Sequence, residues 1–123
     1  MTEAQSAAML EAIDEIYRVA EEKSCEIRFR IVVSRVYYLV FLTARDKYRM
    51  TSEDSDVHTL TWEALRRTRL PGLVKREYSE LRGYRRTADY RLTETSTTFG
   101  GWADTARRAV SKAQWLCDQI KRS

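Results

Sequence analysis

The run of seven consecutive apolar residues at positions 36–42 constrains the fold of this chain more than any other feature. Its length alone would allow a short buried strand. However, no glycine or proline occurs between positions 1 and 50, and apolar residues recur every three or four positions over four helical turns, at Phe29, Val33, Val36, Val40 and Ala44. A helix that is apolar on nearly all sides is a buried helix. The pattern therefore predicts a central buried helix from residue 26 to about residue 49.

Four other helices are predicted around this central one. Thr2 and Gln5 fit a capping box at the start of a helix that ends near residue 23. A short helix at about 57–68 follows candidate N-caps at Ser55 and Asp56, and Pro71-Gly72 ends it and turns the chain. Two more helices are predicted at about 73–90 and 102–121, with an exposed loop at 93–101 between them. The predicted fold is all-α, a single domain of residues 1–123 forming an antiparallel up-and-down bundle of four main helices plus one short helix.

Several classes of protein are excluded by the composition. No segment approaches the ~20 apolar residues of a membrane span, and the N-terminus does not resemble a signal peptide, so we expect a cytoplasmic protein. Cys25 and Cys117 lack metal-ligand spacing and are expected to be small buried thiols. His58 is the only histidine, and the acidic residues at 53–56 lack the pattern of a calcium loop. We therefore expect neither a metal nor a cofactor.

Positive charge is concentrated in one segment. The formal net charge is +4, but residues 66–91 contain nine basic and only three acidic side chains. Such a block attracts polyanions, of which RNA and DNA are the commonest. Within it Arg82, Arg86 and Tyr90 are four residues apart on one side of the predicted helix, with Arg85 and Asp89 beside them. This pattern suits phosphate binding with base stacking, and equally suits a surface row of salt bridges with nearby glutamates.

Two further polar residues, Arg35 and His58, are also candidates for the site. Arg35 is one position from the core stripe, and a buried guanidinium needs a carboxylate or a bound anion. Asp89 is the expected partner, so that Arg35 either fixes helix register through an ion pair or contributes to an anion site. His58 is in the first turn of the short helix, where a histidine either lies on the surface or caps the helix, or serves in proton transfer near neutral pH.

Two sequence blocks together resemble HEPN-domain proteins. Residues 34–45 resemble the signature S-R-x-Y-Y-x-x-F-x-x-A-R, and residues 81–90 resemble the L-R-x-x-A-D-Y block on a later helix of that family. His58 also matches a position that is often histidine there. The resemblance spans roughly residues 26–121. It implies a helical bundle that commonly forms homodimers, in a toxin–antitoxin or phage-defence setting, often beside a small nucleotidyltransferase partner.

The resemblance further implies binding of RNA or a nucleotide through Arg82, Arg85, Arg86 and Arg35. Many HEPN proteins are metal-independent ribonucleases with an R-x4–6-H signature, in which Arg holds the phosphate and His assists proton transfer. In this chain Tyr90 occupies the first possible histidine position after Arg85, and tyrosine is a poor base at pH 7. Two alternatives remain open. One is a ribonuclease whose catalytic residues are Arg35, His58, Arg86, Asp89 and Tyr90; the other is a non-catalytic subunit that dimerises or binds a nucleotidyltransferase.

Overall fold

A computed structural model describes residues 1–23, 25–50, 56–91 and 101–123. These residues form five α-helices and no strand, so the predicted all-α fold class is confirmed. The helices are α1 (Glu3–Lys23), α2 (Glu26–Lys47), α3 (Val57–Arg66), α4 (Gly72–Tyr90) and α5 (Gly101–Lys121). Every helix end lies within two residues of its predicted position. Candidate N-cap Ser55 and positions 93–100 of the predicted loop lie outside the described residues.

Local hydrogen bonds explain where the helices begin and end. The predicted capping box is present, because the Thr2 N–H donates to Gln5 Oε1 (2.8 Å) and the Gln5 N–H donates to Thr2 Oγ1 (3.1 Å). Helix α2 ends before residue 49 because Arg49 adopts a positive φ of 57°, and the Met50 N–H donates to the Arg45 carbonyl (3.0 Å). This is a Schellman motif with arginine in the position that glycine usually occupies.

The α3–α4 junction differs from the prediction. Helix α3 already ends at Arg66, before Pro71-Gly72. Pro71 is instead the N-cap residue of α4, and Gly72 is the first residue of that helix. The N–H groups at the start of a helix have no partner within the helix, so proline, which has no N–H, is well tolerated there. This explains why Pro71-Gly72 begins α4 rather than ending α3. Asp56 precedes α3 but makes no side-chain capping bond.

Helix α2 lies at the centre of the structure and packs against each of the other four helices. Its buried residues include Val32, Val33, Val36, Leu39 and Val40, all fully enclosed. Burial of such a side chain contributes roughly 1.5–3 kcal/mol, so this helix supplies much of the hydrophobic stabilisation. Among the described residues, no helix combines the length and the apolar character that a bilayer span requires.

Helix α5 contacts α2 near both ends of the two helices. Trp102, at the start of α5, stacks on the Arg30 guanidinium at 4.6 Å. Near the C-terminal ends of both helices, Thr43 Oγ1 contacts Cys117 Sγ at 3.4 Å. Cys117 is buried, as predicted, whereas Cys25 is only partly buried.

The buried guanidinium of α2 belongs to Arg30, and the prediction that Arg35 is buried is wrong. Arg30 is 5% exposed and donates through Nη1 to the carbonyls of Thr87 (3.3 Å) and Arg91 (3.1 Å). It thereby satisfies acceptors at the C-terminal end of α4, where a positive charge also interacts favourably with the helix dipole. Arg35 is exposed.

Replacing Arg30 with methionine should destabilise the protein by about 2–3 kcal/mol, because the charge-assisted hydrogen bonds to the Thr87 and Arg91 carbonyls are lost. The matched control is Arg35→Met on the same helix, which should change the free energy of unfolding by less than about 0.5 kcal/mol because its side chain is exposed. Urea unfolding followed by circular dichroism measures both. Equal effects of the two substitutions would contradict this assignment of the buried charge.

Candidate functional site

A cluster of aromatic rings attaches the short helix α3 to α2 and α4. We call it the aromatic cluster; its members are Tyr37, Phe41, His58, Trp62 and Tyr78. His58 stacks on Phe41 with ring centroids 4.1 Å apart, and Trp62 stacks on Tyr78 at 5.8 Å with nearly parallel rings. Tyr37 meets Tyr78 edge-on at 6.2 Å. Aromatic pairs contribute about 0.5–1.5 kcal/mol each beyond area burial, so the cluster fixes the position of His58.

A hydrogen bond between Tyr37 and His58 lies inside this cluster. The Tyr37 hydroxyl is 2.8 Å from His58 Nδ1, and the Tyr37 side chain is buried. Burial raises the pKa of Tyr37 above its ordinary value, although the positive charges of Arg82, Arg85 and Arg86 oppose this shift. The phenol is therefore protonated near neutral pH. His58 is consequently held from one side by a neutral phenol.

His58 is neutral at physiological pH in the folded protein. Its pKa lies below the ordinary value of 6.5, chiefly because burial disfavours the charged imidazolium. The positive charges of Arg85, Arg82 and Arg86 lower the pKa further. These effects show that the imidazole shares its electrostatic environment with all three arginines. We call these three residues, on α4, the arginine face.

The arginine face is organised by contacts with α2 and α3. The Arg85 guanidinium pairs with Asp89 (Nε to Oδ2, 3.0 Å) and lies over two phenol rings, 5.5 Å from Tyr37 and 5.2 Å from Tyr90. Arg82 Nη2 donates to Thr59 Oγ1 at 3.1 Å. Asp89 also accepts a hydrogen bond from Ser34 (3.1 Å). Arg85 and Arg82 are therefore positioned by protein contacts, and Arg86 is exposed.

Most of the predicted site residues meet at one place. The structure brings together His58, Arg82, Arg85, Arg86, Asp89 and Tyr90. Arg35 is not part of this group: Asp89 pairs with Arg85 and Ser34, and Arg35 makes no ion pair or hydrogen bond with any described residue. The physical reason is its position on the uncovered side of α2, whereas Ser34 and Tyr37 face α4.

Sequence reasoning did not identify the residues that hold the site together. Tyr37 was given no role in the sequence analysis, yet it contacts both His58 and Arg85. Ser34 and Thr59 orient Asp89 and Arg82. The two adjacent tyrosines in the 34–45 block were the available signal, because a phenol on a buried helix usually requires a hydrogen-bonding partner.

The site contains the chemistry of anion binding. Guanidinium groups donate several hydrogen bonds in a plane that matches phosphate oxygens. Tyr90 is 70% exposed, and its ring lies against Arg85. No cluster of three or more potential metal ligands occurs among the residues that the structure describes. The arrangement can therefore hold a phosphate group and offer an aromatic surface next to it.

Comparison with known proteins gives no match. No protein-family model, no curated protein and no solved structure is similar to this chain at a significant level.

The protein should lose stability as the pH falls below about 6.5. Because the pKa of His58 is lowered in the folded state, the unfolded chain binds the proton more readily, and acid favours unfolding. The contribution is present in full above pH 6.5 and decreases as the pH falls towards the lower pKa of the folded state. His58→Gln should abolish this dependence between about pH 7 and pH 5.5, a window in which carboxylates titrate little. Urea unfolding at each pH measures it; an unchanged profile in the variant would contradict the assignment.

Proposed function

We propose that the protein binds RNA, or a nucleotide, through the arginine face. The observation that carries the proposal is the convergence of Arg82, Arg85 and Arg86 with one exposed phenol, Tyr90, at the end of α4. Guanidinium groups would hold the phosphates, and the Tyr90 ring would stack on a base. Among nucleic acids we favour RNA that is single-stranded at the contact, because a base must be unpaired to stack on a side chain.

We also propose kinship with HEPN proteins and an antiparallel up-and-down arrangement of α1, α2, α4 and α5. Two contacts support the kinship, since they join the two sequence blocks on which the resemblance rests. Ser34 of the first block hydrogen-bonds to Asp89 of the second, and Tyr37 of the first lies under Arg85 of the second. Kinship of this kind would place the protein in a toxin–antitoxin or phage-defence system in the cytoplasm.

Ribonuclease activity is the second candidate function. It is favoured by the position of His58, a neutral imidazole among three arginines. In this alternative Arg86 would hold the scissile phosphate, and His58 or Tyr90 would transfer protons. Asp89 would orient Arg85, with which it already pairs. Arg35 lies apart from the other candidate site residues of the same protomer, so it would contribute only to the site of a second protomer.

The uncovered side of α2 is a proposed protein interface. It carries Ile27 (67% exposed), Ile31 (42%) and Tyr38 (41%), with Arg35 between them. These residues follow one side of the helix at a spacing of three to four, and an exposed apolar stripe of this kind is a candidate interaction site. We propose that it forms a homodimer or binds a nucleotidyltransferase-type partner. Sedimentation velocity with Ile31→Asp tests the homodimer; a wild-type monomer at all concentrations would contradict it.

RNA binding should be salt-dependent and should require the arginine face. The double variant Arg82→Ala/Arg86→Ala is expected to bind a fluorescent single-stranded RNA more weakly. Its slope of log affinity against log salt should be shallower by roughly 0.7 for each lost phosphate contact. The charge-matched control is Arg67→Ala/Arg122→Ala, which removes two exposed arginines elsewhere. Fluorescence anisotropy at two or more salt concentrations measures both. Equal losses in the two double variants would show a non-specific charge effect and overturn the proposed site.

The same RNA samples distinguish binding from cleavage. Incubation with EDTA followed by denaturing electrophoresis shows whether the strand is cut without metal. Cleavage that Arg86→Ala abolishes would establish the ribonuclease candidate. Intact RNA at high protein concentration would reject it and leave the binding function.

A further inference from the structure

The two ring nitrogens of His58 have different surroundings. Nδ1 faces the buried Tyr37 hydroxyl at 2.8 Å. Nε2 makes no hydrogen bond with a described residue, and it is not among the buried side-chain atoms there that lack a partner. Nε2 is therefore at least partly exposed, on a side chain that is itself only partly buried. One nitrogen is fixed by the protein, and the other is available to a ligand.

The proton between Tyr37 and His58 can be assigned from the neighbouring groups. If Nδ1–H donated to the phenol oxygen, the phenol proton would need another acceptor. The polar groups that act on the Tyr37 phenol are Arg82, Arg85 and Arg86, which are donors only, and the Tyr78 hydroxyl. The contact between the two phenols lowers the pKa of Tyr37 and raises that of Tyr78, as expected when the Tyr78 hydroxyl is the donor and the Tyr37 oxygen the acceptor. A buried hydroxyl proton without an acceptor is costly, so the phenol donates to an unprotonated Nδ1.

We infer that Tyr37 is a positioning residue that holds His58 as the neutral Nε2–H tautomer, so that His58 donates a hydrogen bond to a phosphate oxygen of the ligand. This inference rests on the proposed function and extends it, since it adds a neutral donor to three cationic ones. The lowered pKa of His58 agrees with a neutral ring at pH 7. The groups that face the ring are Tyr37 and Phe41 on α2 and the three arginines on α4.

This assignment has a consequence for the chemistry of the site. A general base must accept a proton at an available lone pair. In the Nε2–H tautomer the accessible nitrogen already carries a proton, and the lone pair of Nδ1 is occupied by Tyr37. His58 therefore cannot accept the 2′-OH proton of RNA in this state. The geometry favours binding of a phosphate ester over its cleavage.

Nitrogen-15 NMR of the ligand-free protein tests the tautomer directly. Because the chain contains one histidine, its ring signals are unambiguous. At pH 7 the couplings between the ring nitrogens and carbon-bound protons should show a protonated Nε2 and an unprotonated Nδ1. Tyr37→Phe should give a mixture of tautomers, whereas the neighbouring Tyr38→Phe should leave the spectrum unchanged. A protonated Nδ1, or an equal mixture of tautomers in the wild type, would overturn the inference.

Two substitutions of His58 test the donor role. A glutamine amide can place an N–H near the position of Nε2, whereas an asparagine amide reaches only the position of Nδ1. Both variants are titrated with a 5′-phosphorylated single-stranded RNA as the probe. His58→Asn should bind about tenfold more weakly than His58→Gln, as expected for loss of one hydrogen bond to a charged group. Thermal unfolding of both variants establishes that they are folded.

The outcomes separate this inference from the proposed function. Equal affinities of the folded Gln and Asn variants would overturn the donor role. If the wild-type protein binds no RNA, the proposed function fails, while the NMR measurement still decides the tautomer on the free protein.

Discussion

The hydrogen bond between Tyr37 and His58 is the interaction on which the candidate site depends. Helix α3 has only ten residues and is preceded in the chain by positions 51–55, which lie outside the described residues. A helix of this length is marginal on its own, so its position must come from tertiary contacts. The phenol of Tyr37 and the ring of Phe41 supply them, one through Nδ1 and one through stacking. They place the only histidine of the chain beside the arginine face.

The contacts around the arginine face also compensate part of its positive charge. Three arginines on one helix repel one another, and any like charge added nearby would increase the repulsion. Asp89 compensates Arg85, and the phenol rings of Tyr37 and Tyr90 offer their electron-rich faces to the same guanidinium. His58 avoids adding a fourth charge because its pKa is lowered. A net positive potential remains, which is the property an anionic ligand requires.

The sequence predicted the helices well because the physical signals were local. The absence of glycine and proline before position 51, the 3–4 apolar spacing and the Thr2–Gln5 capping box depend only on neighbouring residues. The spacing of four residues also placed Arg82 and Arg86 on the same side of α4. The choice between Arg30 and Arg35 was different. Five residues correspond to about 140° around a helix, and which side α4 covers is a tertiary fact that periodicity along α2 does not contain.

The Tyr37–His58 contact was also beyond local reasoning, because 21 positions separate the two residues. One measurement tests most directly whether this assembled site is where the ligand binds. The carbon-bound ring protons of His58 can be followed by NMR while single-stranded RNA is added to the wild-type protein. We predict that both signals shift saturably, with the same midpoint as the binding curve. RNA that binds without moving either signal would contradict the account.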